Sequence, residues 1–343
     1  MGIFEQIDDL SRPPVIIAEI GINHGGSLDV AKRMAELVAE SGIKVFKHQT
    51  HFIDDEMSNE AKRMDVGYLG ESIYSLMERC ALDRDEEVAL KEFVEGLGLV
   101  YMSTPFSRSA ADFLNDLGVE QFKIGSGECN NFPLVRHIAA FGKPVILSTG
   151  MNDLMTVSKT VSILKQADVR ACLLHTTNIY PTPPHLVRLN AMNLLFNEFE
   201  MPVGLSDHTC SNMACLVATG MGARVLERHF TDSKNRSGPD ISNSMDPDEA
   251  SALVTLTREV HSMLGDKKSC LDEERPVAEF AFASVVSSRS INAGEKFTSE
   301  NLWVRRPAGG DFNASHYEDL LGCTASKDIA SNVQIKNEDV TRA

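Results

Sequence analysis

Along the first 264 residues, short β-branched and apolar runs alternate with stretches in which apolar side chains recur every three or four positions. That alternation predicts repeated βα units rather than a sandwich or a helix bundle. Eight apolar runs stand out: Val15 to Gly21, Val45 to Thr50, Val100 to Pro105, Gln121 to Gly127, Pro144 to Gly150, Ala171 to Asn178, Val203 to His208 and Val225 to Thr231. Between them, Leu28 to Glu40 and Arg84 to Leu97 space Ala, Leu, Val and Met helically, with charges in between. Eight strands with intervening helices predict an α/β fold, a closed (β/α)8 barrel of the TIM type, which needs about 250 residues.

Polar positions sharpen this expectation. Nearly every run starts apolar and ends in residues a core would not choose: Glu19; Lys47 and Gln49; Ser103 and Thr104; Lys123 and Ser126; Ser148 and Thr149; His175 and Asn178; Ser206 and His208; Glu227 and His229. A barrel gathers such ends on one face, where active sites are built, whereas an open doubly wound sheet would gather them only at one crevice. Two insertions break the rhythm. Phe52 to Leu82 is too long for an ordinary strand-to-helix loop and is a candidate cover for the mouth, and Asp232 to Asp246 has the Gly, Pro, Asn and Ser content of a mobile loop. After Leu264 the periodicity stops. We therefore expect a barrel over residues 1–266, a linker over 267–281 and a small β-rich domain over 282–343 that holds Trp303, the one Trp of the chain.

Composition removes several classes of function. With 33 basic against 49 acidic residues, the net charge of -16 opposes binding to a nucleic-acid backbone or an anionic bilayer. No apolar run approaches the roughly 20 residues of a membrane helix. The first residues lack a secretory pattern, so a cytoplasmic location is expected. Seven cysteines without a CxxC pair suggest reduced thiols, not a disulfide framework or a zinc knuckle.

Three constellations carry candidate chemistry. Lys47 and Lys123, with hydroxyls from Thr104, Ser126, Ser148 and Ser206, can hold a phosphate together with a carboxylate; the bland alternative is that each lysine reaches solvent past its strand end. His208 and His229, on adjacent strand ends, can share a divalent metal, Mn²⁺ or Mg²⁺, although a single histidine there would be a satisfied core residue. The carboxylates Glu19, Glu227 and Asp240 suit sugar hydroxyls or proton transfer, and Glu227 could instead pair with a nearby Lys or Arg. Asn178 to Pro183 forms a rigid turn whose backbone could bind an amide. The short NHGG and GSG stretches identify no nucleotide site.

In order and spacing, the segments AEIGINHGG, KHQTH, DEMS, MERCAL, STPFS, KIGSGECNN, ILSTGM, TNIYPTP, GLSDHT, LERHFTD, GPD and FAFASVV resemble the bacterial N-acetylneuraminate (sialic acid) synthase family over about Ile16 to Val340. The C-terminal part resembles an antifreeze-like (SAF) domain. The resemblance implies condensation of phosphoenolpyruvate with N-acetylmannosamine or a related hexosamine, release of phosphate and dependence on Mn²⁺ or Mg²⁺. It implies phosphoenolpyruvate ligands at Lys47, Thr104, Lys123, Ser126, Ser148, Asn178 and Ser206, and metal ligands at His208 and His229. Sugar-binding groups fall on Glu19, Tyr180, Glu227 and Asp240, with Glu19, His208 and His229 as the catalytic set. It further implies a domain-swapped homodimer in which Arg306 reaches the other copy's site. Departures are small: Gly25 stands where many relatives have Asn, PAGGDF replaces PGNGDF, and HTTN replaces HCTN. Rival readings are synthesis of legionaminic or pseudaminic acid, a Schiff-base pyruvate aldolase using Lys123, and a non-catalytic sugar-binding protein.

Overall fold

All eight apolar runs become parallel strands: β1 (Val15–Gly21), β2 (Val45–Thr50), β3 (Val100–Pro105), β4 (Phe122–Ile124), β5 (Val145–Ser148), β6 (Ala171–Thr176), β7 (Val203–Asp207) and β8 (Val225–His229). In this computed structural model, which describes residues 2–64, 71–265 and 267–341, the strands pair in the order β3-β2-β1-β8-β7-β6-β5-β4. β1 bonds to both β2 and β8, and β3 stands beside β4 to bring the ends of the sheet together. The result is the TIM-like barrel expected from the alternation. Residues 65–70, inside the first insertion, residue 266 at the expected end of the barrel, and residues 342–343 lie outside the described residues.

The two-residue period of the strands divides the core into two layers. Ala18, Ile20, Phe46, Phe122, Leu147, Leu173, Leu205 and Leu226 face outward and pack with the helices, whose buried residues include Met34, Val38, Leu90, Val94 and Leu253. Val15, Ile17, Val45, Met102, Ile146, Cys172, Leu174 and Val225 form a separate inner cluster. This inner cluster is apolar only toward the N-terminal ends of the strands, so the polar strand ends are left at the opposite mouth.

An element absent from the strand count seals the bottom. The helix Ile3–Asp8 sends Ile3, Phe4 and Ile7 into the inner cluster. Arg224, just before β8, holds it there: Nε donates to the Ile7 carbonyl at 2.8 Å, Nη1 to Arg12 O at 3.0 Å, and Nη2 to Gln6 O and Asp9 O at 2.9 and 2.7 Å. One buried guanidinium thus satisfies four carbonyls at and beyond the helix end, where intrahelical partners run out.

Several strands are shorter than their apolar runs. β4 spans Phe122–Ile124 against the expected Gln121 to Gly127, and Ser126–Glu128 turns into a 3₁₀ segment. β5 stops at Ser148, after which Thr149 bonds Leu174 O through both its N–H and its hydroxyl. The Thr149 N–H thus closes the last rung of the β5–β6 ladder, and beyond it the polar tips bond to the neighbouring strand ends through side chains, as Ser126 Oγ does to the Gly150 N–H.

The first insertion folds into short pieces, Ile53–Glu56, Asn59–Arg63 and Ile73–Cys80. Asp55 accepts from the Ser109 N–H and hydroxyl at 2.9 and 2.7 Å, while Leu76 and Cys80 pack on Ile22. The segment is therefore anchored to the loops that follow β1 and β3. The NHGG stretch is structural as well. Asn23 Nδ2 donates to Phe230 O and Ser244 Oγ, both at 2.8 Å, and ties the loop after β8 to the loop after β1. Gly26, at φ +80°, lies where a Cβ would strike the Arg79 carbonyl.

The chain divides into the units Met1–Gly265 and Asp266–Ala343. In the second, the stretch expected as a linker contains the helix Arg275–Ala281. It is followed by β9 (Ser284–Ser287), antiparallel to β10 (Leu302–Arg305). Val285, Ile291, Phe297, Leu302, Leu320, Ile329 and Ile335 fill its core. Among the described residues no helix is long and apolar enough to cross a membrane.

Arg224→Met keeps the length of the side chain but strands the four carbonyls. It should lower the unfolding free energy by about 2 to 4 kcal/mol, read as an earlier midpoint in urea denaturation. An unchanged midpoint would show that the helix needs no such anchor.

Candidate active site

Inward-facing positions at the C-terminal ends of the strands converge on a recess of ≈ 150 Å³. Its lining includes Glu19, Lys47, Thr104, Lys123, Ser126, Ser148, Asn178, Tyr180, Ser206, Glu227, His208 and His229. Twelve of the fourteen residues singled out in the sequence are thus brought to one place. Asp240 joins them through His229, whose Nδ1 lies 3.7 Å from Asp240 Oδ2. Arg306 is exposed in the second unit, directly after β10.

The lysines are buried, at 3% and 2% exposure for Lys47 and Lys123, so neither reaches bulk solvent past its strand end. Burial of an ammonium is costly unless carboxylates and hydroxyls replace its water. Lys47 Nζ lies 2.5 Å from Glu19 Oε2 and 3.7 Å from Glu227 Oε1, and it donates to Thr104 Oγ1 at 3.2 Å. Lys123 Nζ donates to Ser148 Oγ at 2.7 Å and stands 3.7 Å from the same Glu227 oxygen. Burial works against the Lys47 charge, but Glu19 and Glu227 outweigh it and hold its pKa above the ordinary value. For Lys123 burial wins over Glu227 and pushes the pKa down to about 8. Burial also acts to raise Glu227, and the two ammonium groups outweigh it and hold the group ionised. The pairing that was the bland alternative for Glu227 is therefore present.

Hydroxyls and backbone complete the cradle. Ser206 Oγ donates to Glu227 Oε1 at 3.3 Å, and the Gly150 N–H donates to Ser126 Oγ at 3.1 Å. A Cβ on Gly150 would overlap Asn178 Oδ1, so glycine is what lets the loop after β5 approach Asn178. Thr176 Oγ1, Asn178 Oδ1 and Glu227 Oε2 are buried without a hydrogen-bond partner, as expected of groups that await a ligand.

The histidines stand side by side, ring centroids 5.4 Å apart, with Tyr180 tilted over His208 at 4.2 Å. His208 Nδ1 lies 2.9 Å from Thr177 O. A carbonyl only accepts, so Nδ1 carries the proton and the neutral ring keeps a lone pair on Nε2. Burial, aided by the neighbouring His229, pushes His208 down to about 4, and burial lowers His229 as well. His229 Nδ1 is buried without a hydrogen-bond partner. Two neutral imidazoles with unspent nitrogens suit a divalent cation that takes its remaining ligands from water or substrate. Among the described residues, no group of three or more His, Cys, Asp or Glu forms a protein-only metal cage.

Gln49, Phe106 and Thr176 also line the recess, although none was a candidate site residue. Gln49 and Thr176 were within reach of the strand period, two positions past Lys47 and Leu174 on the same inward face. Phe106 follows β3, and no sequence pattern marks it. The whole arrangement can bind an anion on two ammonium groups, keep Glu227 ionised beside it, and hold a cation on the neighbouring histidines.

Known proteins match the chain over most of its length. The NeuB family model matches residues 34–269 and the SAF domain model residues 282–341. The chain is 36% identical over 334 residues to an N,N'-diacetyllegionaminic acid synthase of Campylobacter jejuni, covering 95% of this chain and 99% of the relative. It is 33% identical over 329 residues to a pseudaminic acid synthase of the same species, covering 94% and 96%. The crystal structure of an N-acetylneuraminic acid (sialic acid) synthetase from Leptospira borgpetersenii superposes with a TM-score of 0.72 at 30% identity, over 78% of this chain and 91% of that one.

The depressed Lys123 predicts a pH limb. Sulfate keeps a constant charge across the neutral range, so its affinity for the recess should fall about tenfold from roughly pH 7.5 to 9.5 as Lys123 loses its proton, while Lys47 stays charged. Lys123→Met should bind weakly at all these pH values. Calorimetric titration checks both; a flat profile for the unmodified protein, or the same limb in the variant, excludes Lys123 as the titrating group.

Proposed function

The chain belongs to the NeuB family, and from that premise we propose that it condenses phosphoenolpyruvate with N-acetylmannosamine and water to give N-acetylneuraminate and phosphate. The observation that carries this reading is the union, in one recess, of two buried lysines with a hydroxyl rim and a pair of neutral histidines. Few small metabolites need all of that together, and an enol phosphate bearing a carboxylate is one.

In this reading Lys47 and Lys123 hold the phosphate and carboxylate of phosphoenolpyruvate. Thr104, Ser126, Ser148, Asn178 and Ser206 supply hydrogen bonds that fix the plane of the enol. The enol C3 attacks the aldehyde carbon of the open-chain sugar and a C–C bond forms. Water adds to the cationic C2 that results and gives up a proton, and phosphate leaves by cleavage of the C2–O bond. Glu19, beside Lys47, is placed to hold the proton that moves between water and the sugar oxygen. Tyr180, Glu227 and Asp240 bind the sugar, and burial pushes Asp240 up to about 6. Arg306 completes the sugar site from a second copy of the chain in a domain-swapped homodimer. Mn²⁺ or Mg²⁺ held by His208 and His229 would supply positive charge for an aldehyde or alkoxide oxygen.

A second reading takes a diacetamido hexose as the acceptor and legionaminic acid as the product class. It is favoured by the near full-length match to a legionaminic acid synthase. Both readings share the phosphoenolpyruvate half of the site.

Purified protein given phosphoenolpyruvate, Mn²⁺ and a panel of N-acetylated hexoses should release phosphate only when an acceptor is present, fastest with N-acetylmannosamine. The product mass identifies the sugar used. Chelation should stop release, Mn²⁺ should restore it, and the His208→Ala, His229→Ala double variant should lose at least about 100-fold. A borohydride-trapped pyruvate adduct without phosphate release would instead favour the aldolase.

A further inference from the structure

The loop leaving β2 carries a buried polar chain that the reaction scheme does not yet use. Gln49 Nε2 donates to Glu19 Oε1 at 2.7 Å, which turns Gln49 Oε1 toward His51 Nε2, 3.1 Å away. The other ring nitrogen, Nδ1, lies 2.8 Å from Glu56 Oε2. Both partners are acceptors: the amide oxygen because the amide nitrogen is spent on Glu19, and the carboxylate by its charge. The reverse orientation of Gln49 would set its oxygen against the Glu19 carboxylate. Each ring nitrogen of His51 therefore faces an acceptor, and the ring is clamped at both ends.

The surroundings hold this clamp in place. His51 is 4% exposed and stacks on Phe106 at 4.5 Å and 12° between planes, and Phe106 lines the recess. Such a face-to-face contact fixes the plane of the His51 ring. Glu56 closes the turn Ile53–Glu56, whose Asp55 grips Ser109 at the head of the helix Arg108–Asp116. Two further titratable groups lie within electrostatic reach: the buried His24 toward His51, and Glu128 toward Glu56.

We infer that His51 is a positioning residue for the condensation, acting through Gln49 on Glu19; this rests on the function proposed above. With the Gln49 oxygen occupied by His51, its N–H is committed to one Glu19 oxygen, and the other Glu19 oxygen is committed to Lys47. The carboxylate that handles the sugar-side proton is thus oriented by a chain that starts at Glu56, in the insertion after β2. Of the groups proposed for phosphoenolpyruvate, Lys47 meets this chain at Glu19, while Lys123 and Ser148, on β4 and β5, hydrogen-bond to each other.

The test compares unmodified protein with His51→Leu and His51→Gln. The glutamine puts an amide nitrogen near the Nε2 position, able to donate to Gln49 without a charge. His51→Leu should keep phosphoenolpyruvate affinity, measured by calorimetry, within about twofold and lose about 30-fold in kcat/KM for the sugar; His51→Gln should recover to within about fivefold of the unmodified protein. Equal losses in both variants, or a parallel loss of phosphoenolpyruvate affinity, would overturn the inference. Absence of phosphate release from the unmodified protein with every sugar would overturn the functional reading instead.

Discussion

Two ammonium groups lie buried in the mouth of this barrel, and most of what surrounds them serves to keep them charged there. Alone, each would shed its proton or escape to water. Glu227, on β8, stands 3.7 Å from both, and Glu19, on β1, takes the nearer one at 2.5 Å. Two carboxylates face two ammonium groups, so the recess concentrates little net charge that would destabilise the fold. That balance has a consequence for ligands. An enol phosphate with a carboxylate brings more negative charge than the lysines have free, because both already face a carboxylate. Further positive charge must come from elsewhere in the site, and the neutral imidazoles of His208 and His229 are the part of the wall suited to hold it as a bound cation.

This quartet could be read from the chain only in part. Lys47, Lys123, Glu19 and Glu227 were visible as polar residues at the ends of apolar runs, since the strand period puts them on the inner face. Their mutual pairing was open to only one of them, Glu227, and only as an alternative to sugar binding, because it depends on which strand ends meet and how far each extends. The same limit applied to strand ends: Ser126 and Thr149 read as strand, but Ser126 turns into a 3₁₀ segment and Thr149 ends β5 with its hydroxyl on Leu174 O, the same carbonyl its N–H bonds. The helix Ile3–Asp8 was missed because its apolar positions are few and its anchor, Arg224, lies more than two hundred residues away. His51 was invisible as chemistry. Its role depends on the orientation of Gln49 and on Glu56, a residue in an insertion that offered no period to read.

The acidity of the chain also takes on a clearer meaning. A net charge of -16 spread over outer surfaces gives no general attraction for an anion. Selectivity for anions therefore has to be local, and a recess that removes water from its lysines strengthens each remaining interaction. The burial that depresses Lys123 to about 8 also places its ammonium where a phosphate would restore the charge fully.

The two halves of the recess are built from different parts of the fold. The groups suited to the enol phosphate, Lys47, Thr104, Lys123, Ser148 and Ser206, sit on strands whose backbones are fixed by ladders on both sides or by the packed outer helices. Those suited to the sugar are split: Glu19 and Glu227 sit on β1 and β8, while Tyr180 after β6, Asp240 after β8 and Glu56 after β2 lie beyond the strands. Loops change shape at little cost to the core, while a strand residue that moves disturbs its neighbours in the ladder. A barrel arranged this way can keep one activated donor and accept different sugars through changes in its loops alone. That arrangement explains why the donor is the better determined half of the reaction, and why the acceptor has to be found by offering sugars to the protein.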